Sequence, residues 1–262
     1  MKIFAFAASL AAASLLAGPV LAQTPQTVRV GVTPGPHAQI FEAVKPIAAK
    51  RGLDIKIIEF SDYVVPNAAL DAGEIEANSF QNTPYLDNQK ADRGYKLEAV
   101  ALTVNFPLGI YSRKHKSFDA VPQGGSVAIQ NDPTNGGRAL LLLQDKGVIK
   151  LKPNIGFKPT IADIVENPRR LKFVEVDAAQ TPRSLDDVDA ASINTNYATS
   201  AGLNPADAIL KEDPKGPYVN LIAVRSADKD KPWVKALVES YHSPEVKAFV
   251  AEKFKGAVIA SW

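Results

Sequence analysis

The residues best suited to chemistry lie in Q-N-D-P-T-N-G-G-R-A-L-L-L-L-Q, residues 130–144. A strand, an Asn-Asp-Pro-Thr-Asn turn, two glycines and an apolar helix over 137–146 follow one another. That order leaves backbone N–H groups free at the loop–helix junction, where they favour an anion. Arg138 falls in the first turn of this helix, where the dipole disfavours a guanidinium, so a negative group is expected close by. Two readings stand: an arginine paired with Asp132 or another carboxylate, and a bidentate clamp on the carboxylate of a ligand.

Two further stretches carry amides in apolar surroundings, A-S-I-N-T-N-Y-A at 191–198 and P-Y-V-N-L-I at 217–222. Asn194 follows a short strand and Asn220 interrupts a hydrophobic one; a buried amide there needs partners, either neighbouring backbone or a ligand. Tyr63, Phe80 and Tyr85 lie in F-S-D-Y-V-V-P-N and A-N-S-F-Q-N-T-P-Y-L, both at carboxyl ends of expected strands, the edge at which open α/β sheets bind ligands. Core packing is the plainer role for a Phe. The loop setting and the Pro-Tyr pair weigh against it. The histidines at 37, 115 and 242 have no metal-ligand spacing and read as surface or helix-capping imidazoles. Neither G-x-S-x-G nor G-x-x-x-x-G-K-[ST] occurs, so hydrolase and nucleotide-binding chemistry lack their usual signatures. No catalytic residue, metal or cofactor is expected.

The elements that must position these residues alternate. Strand Thr27–Val32 leads through T-P-G-P to a helix at 37–50 and a strand at 54–60. A helix at 66–72, a strand at 75–79, a helix at 84–93 and an extended run at 97–104 follow. After Asn105-Phe106-Pro107 an extended G-I-Y-S opens a second α/β set: strands at 126–129, 171–176 and 190–193, a helix at 137–146 and a helical piece at 184–187. A strand at 218–224 and two amphipathic helices, 232–241 and 244–254, close the chain. Such alternation predicts sheets covered on both faces by helices. The expected division is lobe 1 from 23–107 and 225–262 and lobe 2 from 108–224, joined by two crossing strands on which the lobes hinge.

The 262 residues carry 30 basic and 28 acidic side chains, a net charge of +2, with no dense Lys/Arg run, so a nucleic-acid footprint is not indicated. Met1-Lys2, an apolar run to Ala17, a Gly18-Pro19 break and V-L-A before Gln23 have the three parts of a secretory signal peptide, residues 1–22. The apolar run is shorter than the roughly 20 residues that span a bilayer. The sequence contains no cysteine, so neither disulfides nor a lipid on an N-terminal Cys is expected. A free, soluble, periplasmic monomer is the reading.

Taken together, V-G-V-T-P-G-P-H, F-S-D-Y-V-V-P-N, A-N-S-F-Q-N-T-P-Y-L, N-D-P-T-N-G-G-R-A-L-L-L-L-Q, I-N-T-N-Y-A and P-Y-V-N-L-I-A-V-R make the chain resemble, over nearly its whole mature length, the methionine-binding (NlpA-type) substrate-binding proteins of ABC importers. The resemblance implies a two-lobed, type II periplasmic-binding-protein-like fold that closes on an amino acid, most simply methionine, and delivers it to a membrane permease with its ATPase. It implies that Arg138 holds the ligand carboxylate, that Asn194 and Asn220 fix its amino and carboxylate ends, and that Tyr63, Phe80 and Tyr85 enclose the side chain. A thioether sulfur gains about 0.3–1.5 kcal/mol against an aromatic ring. Members commonly carry His where this chain has Asn82, which alters a polar contact near the ligand, and many are lipoproteins. Another amino acid, a methionine-containing dipeptide, a small organic anion, or a secreted enzyme on the same scaffold remain alternatives.

Overall fold

The computed structural model describes residues 24–262; the expected signal peptide, 1–22, lies outside them. β1 (Gln26–Val32) enters α1 (Pro36–Ala49), and β2 (Leu53–Glu59) returns parallel to β1. α2 (Val65–Asp71), β3 (Ala77–Ser79), α3 (Thr83–Arg93) and β4 (Leu97–Asn105) follow. The chain then leaves for a second sheet. That sheet opens with β5 (Gly109–Tyr111), β6 (Ser126–Gln130) and α4 (Pro133–Asp145); β7 (Lys150–Leu151) and β8 (Ile164–Glu166) form a separate hairpin. β9 (Lys172–Val176), α5 (Thr181–Ser184), β10 (Ala190–Ile193), α6 (Thr195–Ser200) and β11 (Leu210–Lys211) complete it. The chain returns through β12 (Val219–Arg225), α7 (Pro232–Tyr241), α8 (Pro244–Phe254) and β13 (Ile259–Ala260).

The two sheets have strand orders β13-β4-β12-β3-β1-β2 and β11-β5-β10-β6-β9. β12 lies wholly in the first sheet, antiparallel to both β4 and β3, so the chain crosses between sheets in 106–108 and again in 212–218. Each sheet buries apolar side chains on both faces. Val28, Val30 and Val32 pack with Phe41 and Val44 of α1 and with Leu237 and Tyr241 of α7, while Ile75, Leu86 and Leu221 fill the opposite face. In the second sheet Val127 and Ile129 meet Leu140 and Leu143 of α4, and Ala128 and Ala191 face Leu185 and Tyr197. Removing this much apolar surface from water is the main stabilising term, about 1.5–3 kcal/mol for each fully buried large side chain.

Most expected elements form within one or two residues of their expected limits. α4 does not: it begins four residues earlier than the apolar pattern indicated, because Asp132 caps it and Pro133 takes its first position, where a missing N–H costs nothing. Arg138 therefore sits in the second turn. The expected helical piece at 184–187 is realised one turn earlier as α5, again with proline in its first turn.

Candidate functional site

Between the sheets, at the carboxyl ends of β1, β3, β6 and β10, lies a cavity of about 370 Å³ of empty space, mouth included, at the small end of the range for small-molecule pockets. All seven residues singled out in the sequence line it: Tyr63, Phe80, Asn82, Tyr85, Arg138, Asn194 and Asn220. So do His37, Gln81, Phe106, Asn135, Thr195 and Asn196.

Three rings form one wall. Tyr63 lies 5.8 Å from Phe80 and 6.1 Å from Tyr85, and Phe80 meets Tyr85 edge-on at 6.0 Å. The Tyr85 hydroxyl donates to the Tyr63 carbonyl (2.9 Å). Burial pushes both phenols well above their ordinary pKa, so each hydroxyl stays a donor. Beneath the rings Asn67, Asn78 and Gln81 close a buried amide network: Gln81 Nε2 donates to Asn67 Oδ1 (2.6 Å) and Asn78 Oδ1 (3.0 Å), and Asn67 Nδ2 returns to Gln81 Oε1 (2.8 Å). A satisfied network of this kind holds the wall rigid.

Asn82 has a structural duty. It is the N-cap of α3, its Oδ1 accepting from the Tyr85 backbone N–H at 3.0 Å, which fixes the turn carrying the Tyr85 ring. Asn220 faces it from β12 across an isolated antiparallel bridge, so Asn220 belongs to the aromatic side of the cavity. Among the described residues its only side-chain hydrogen bond is a long one, Nδ2 to the Tyr218 carbonyl at 3.4 Å.

The opposite wall comes from the second sheet. Asn194 stands at the N-cap position of α6 but does not cap. Its Oδ1 accepts from Gln130 Nε2 (2.8 Å) and its Nδ2 donates to Asn135 Oδ1 (2.9 Å). One amide hydrogen and one lone pair are left for a ligand. The free backbone N–H groups expected at the start of α4 are already taken: Asp132 accepts from the Thr134 and Asn135 backbones at 3.1 and 2.8 Å and from Asn135 Nδ2 at 2.9 Å. The two glycines serve close packing. A Cβ on Gly136 would lie 2.5 Å from the Gln130 carbonyl oxygen, and one on Gly137 2.7 Å from that of Phe157.

Arg138 is buried and already paired. Its Nε and Nη2 reach Glu212 Oε1 and Oε2 at 2.9 and 2.5 Å, Nη2 also donates to the Phe106 carbonyl (2.9 Å), and the guanidinium lies 4.1 Å over the Tyr218 ring. The negative group demanded by the sequence is thus Glu212 rather than Asp132. A bidentate clamp through the Nε/Nη2 edge is excluded by this pairing. Only Nη1 lacks a protein acceptor among the described residues.

His37, expected at the surface or as a cap, is instead 2% exposed, against Phe106 at a ring separation of 4.6 Å. Burial lowers its pKa to about 3, so the imidazole is neutral, and its Nδ1 has no partner among the described residues. Its place after T-P-G-P, at the end of β1, is the same strand-end signal that marked Phe80.

Hydrogen bonds span the mouth. Tyr63 Oη donates to Asn196 Oδ1 (2.6 Å), Tyr197 Oη to the Ser61 carbonyl (3.2 Å) and Lys158 Nζ to Asn88 Oδ1 (2.8 Å), while the Tyr63 and Tyr197 rings lie 4.9 Å apart. The two walls are therefore in contact, and the arrangement is the closed one. Arg138 is the only cavity-lining residue that carries a formal charge at neutral pH. Among the described residues no group of His, Cys, Asp and Glu is arranged to hold a metal, and no helix is long and apolar enough to cross a membrane.

Residues 28–262 match the profile of the NlpA lipoprotein family. The D-methionine-binding lipoprotein MetQ of Escherichia coli K12 is 50% identical over 242 residues, which is 91% of this chain and 89% of that protein. Outer membrane lipoprotein 3 of Mannheimia haemolytica is 44% identical over 239 residues, 90% of this chain and 91% of its own. Among solved structures, a nutrient-binding protein from Burkholderia cenocepacia bound to methionine superposes with a TM-score of 0.88 at 55% identity, covering 90% of this chain and all of that one (100%).

Proposed function

Because the chain belongs to the NlpA lipoprotein family, we propose that it is the extracytoplasmic substrate-binding protein of an ABC importer, that it takes up methionine, and that it acts without covalent chemistry. The observation carrying this is a small cavity shut between two sheets, with an aromatic wall on one side and a single guanidinium among amides on the other. The rings suit a thioether. Nη1 of Arg138 receives the ligand carboxylate, and Asn194 and Asn220 supply the remaining polar contacts. A relative that is named for D-methionine and a structure described as bound to methionine support the choice of ligand.

The two sheets act as lobes, exchanging the chain at 106–108 and 212–218. Ligand contacts drawn from both exist together only in the closed form, so binding shifts the open–closed equilibrium, by an amount set by the difference in affinity for the two states. A permease then reads the closed shape. The protein works as a periplasmic monomer released by cleavage after Ala22. With no cysteine in the sequence, it lacks the thiol on which the lipoproteins of its family would carry their lipid.

Native mass spectrometry of freshly purified protein, with identification of the retained small molecule, tests the ligand. Methionine is the expected mass; an empty protein whose melting temperature ignores methionine refutes the reading. The intact mass of the mature form tests the second point, an unacylated chain starting at Gln23 being the expected result.

A further inference from the structure

Glu212 does not line the cavity, yet it decides what Arg138 has to offer. Three of the five guanidinium N–H groups are consumed by Glu212 and the Phe106 carbonyl, and one face is covered by Tyr218. Glu212 is itself held: its Oε2 also accepts from the Leu108 backbone N–H (3.1 Å), and its own N–H donates to the Leu108 carbonyl (3.0 Å). The pair is well withdrawn from water, the side chains being 3% and 13% exposed. Arg138 cannot swing to a different ligand geometry without leaving a buried carboxylate unpaired, which is costly.

Charge follows from the same contacts. Arg138 on the cavity wall and Glu212 directly behind it cancel as a pair, and one shell further out the Asp132 carboxylate, which accepts from the cavity-lining Asn135 Nδ2 at 2.9 Å, adds negative charge, so no net positive charge waits for a ligand. A zwitterion adds no net charge to the site. A lone carboxylate leaves one uncompensated negative charge out of water, which low-dielectric surroundings penalise.

We infer that Glu212 is a positioning residue that makes this site select zwitterionic amino acids over anions of the same shape, by fixing Arg138 so that only Nη1 faces the ligand and by cancelling its charge. The inference rests on the amino-acid reading above and adds a residue to it. Neutralising Glu212 while keeping an acceptor oxygen should leave the Arg138 charge uncompensated, shifting the balance towards the anion.

The test compares methionine with its des-amino analogue, 4-(methylthio)butanoate, by titration calorimetry. Wild type, Glu212→Gln and Glu212→Asp are each stripped of retained ligand by unfolding and refolding. Wild type is expected to prefer methionine, and E212Q to lose that preference by about tenfold or more, a shift of about 1.4 kcal/mol in the difference of binding free energies. E212D keeps the charge on a shorter stem, and is expected to weaken both ligands while retaining the wild-type ratio; if E212Q does not refold, this arm stands alone, and a ratio lost in E212D overturns the inference. A merely structural role weakens both ligands by the same factor in E212Q, and that outcome overturns it too. Wild-type protein that binds no methionine overturns the proposed function with it, whereas wild-type binding with an unchanged ratio in E212Q removes the Glu212 inference alone.

Discussion

Replacing Arg138 with methionine should damage both stability and binding, and the two losses can be separated. In the folded protein the guanidinium satisfies Glu212 through two contacts, 2.9 and 2.5 Å, and a backbone carbonyl through a third. Removing it strands a carboxylate that is 13% exposed, and breaking a buried pair from one side costs about 3–5 kcal/mol. At about 2–4 °C per kcal/mol for a chain of this size, the melting temperature should fall by roughly 6–20 °C. Ligand affinity loses the charge-assisted bonds of Nη1, about 1.5–3 kcal/mol, or roughly 10- to 150-fold. Adding Glu212→Met removes the stranded charge. The Leu108 N–H then loses its side-chain acceptor at a cost of about 1–3 kcal/mol, less than the buried charge did, so the double variant should melt above Arg138→Met while its affinity stays as weak as that of the single variant. The assay is differential scanning calorimetry of ligand-free protein paired with methionine titration. Arg138→Met protein that binds methionine as tightly as wild type, or a double variant that melts below the single one, would refute the reasoning.

Three further outcomes are expected. Tyr63→Phe removes the 2.6 Å bond to Asn196 across the mouth while keeping the ring; affinity should fall by roughly fivefold, about 1 kcal/mol, with the melting temperature of the empty protein unchanged, and calorimetry that finds equal affinity denies this bond a part in closure. Asn82→Ala deletes the cap of α3 and should lower stability by about 1 kcal/mol, seen as a melting point lower by roughly 2–4 °C, whereas Asn82→Asp should not. For His37, burial holds the folded pKa near 3 against an ordinary 6.5. The unfolded chain therefore takes up a proton that the folded one refuses, and stability falls as pH drops from about 6.5 towards 3, by up to about 1.4 kcal/mol per unit. His37→Phe should flatten the acid side of a melting-temperature profile; an unchanged slope refutes the assignment.

The amphipathic helices α7 and α8 and the β-branched strands of both sheets were legible because their apolar periods are long enough to count. β11 and β13, two residues each, carry no period at all. The start of α4 was legible in principle, since Asp132-Pro133 is a cap followed by a first-position proline, but the apolar run beginning at Ala139 drew the boundary inward. Glu212 could not be found: K-E-D-P-K-G-P reads as a solvated loop, and its partner lies 74 residues away. For His37 the lack of metal-ligand spacing says nothing about burial, whereas its place after T-P-G-P, just past the end of β1, puts it at the sheet edge where the cavity lies.

The position of β12 bears on the order in which the molecule can assemble. It lies between β4 and β3 and carries Ile222 and Val224 into the same core as Trp233, Tyr241 and Val258. The five-stranded sheet, by contrast, is built entirely from 109–211. As the chain lengthens during synthesis, the segment made first must wait with an open gap in its sheet until 219–225 emerges, while the middle of the chain can finish beforehand. Losing the last forty or so residues would therefore unmake the beginning of the protein and spare its centre, and long-range pairings of this kind slow the completion of folding.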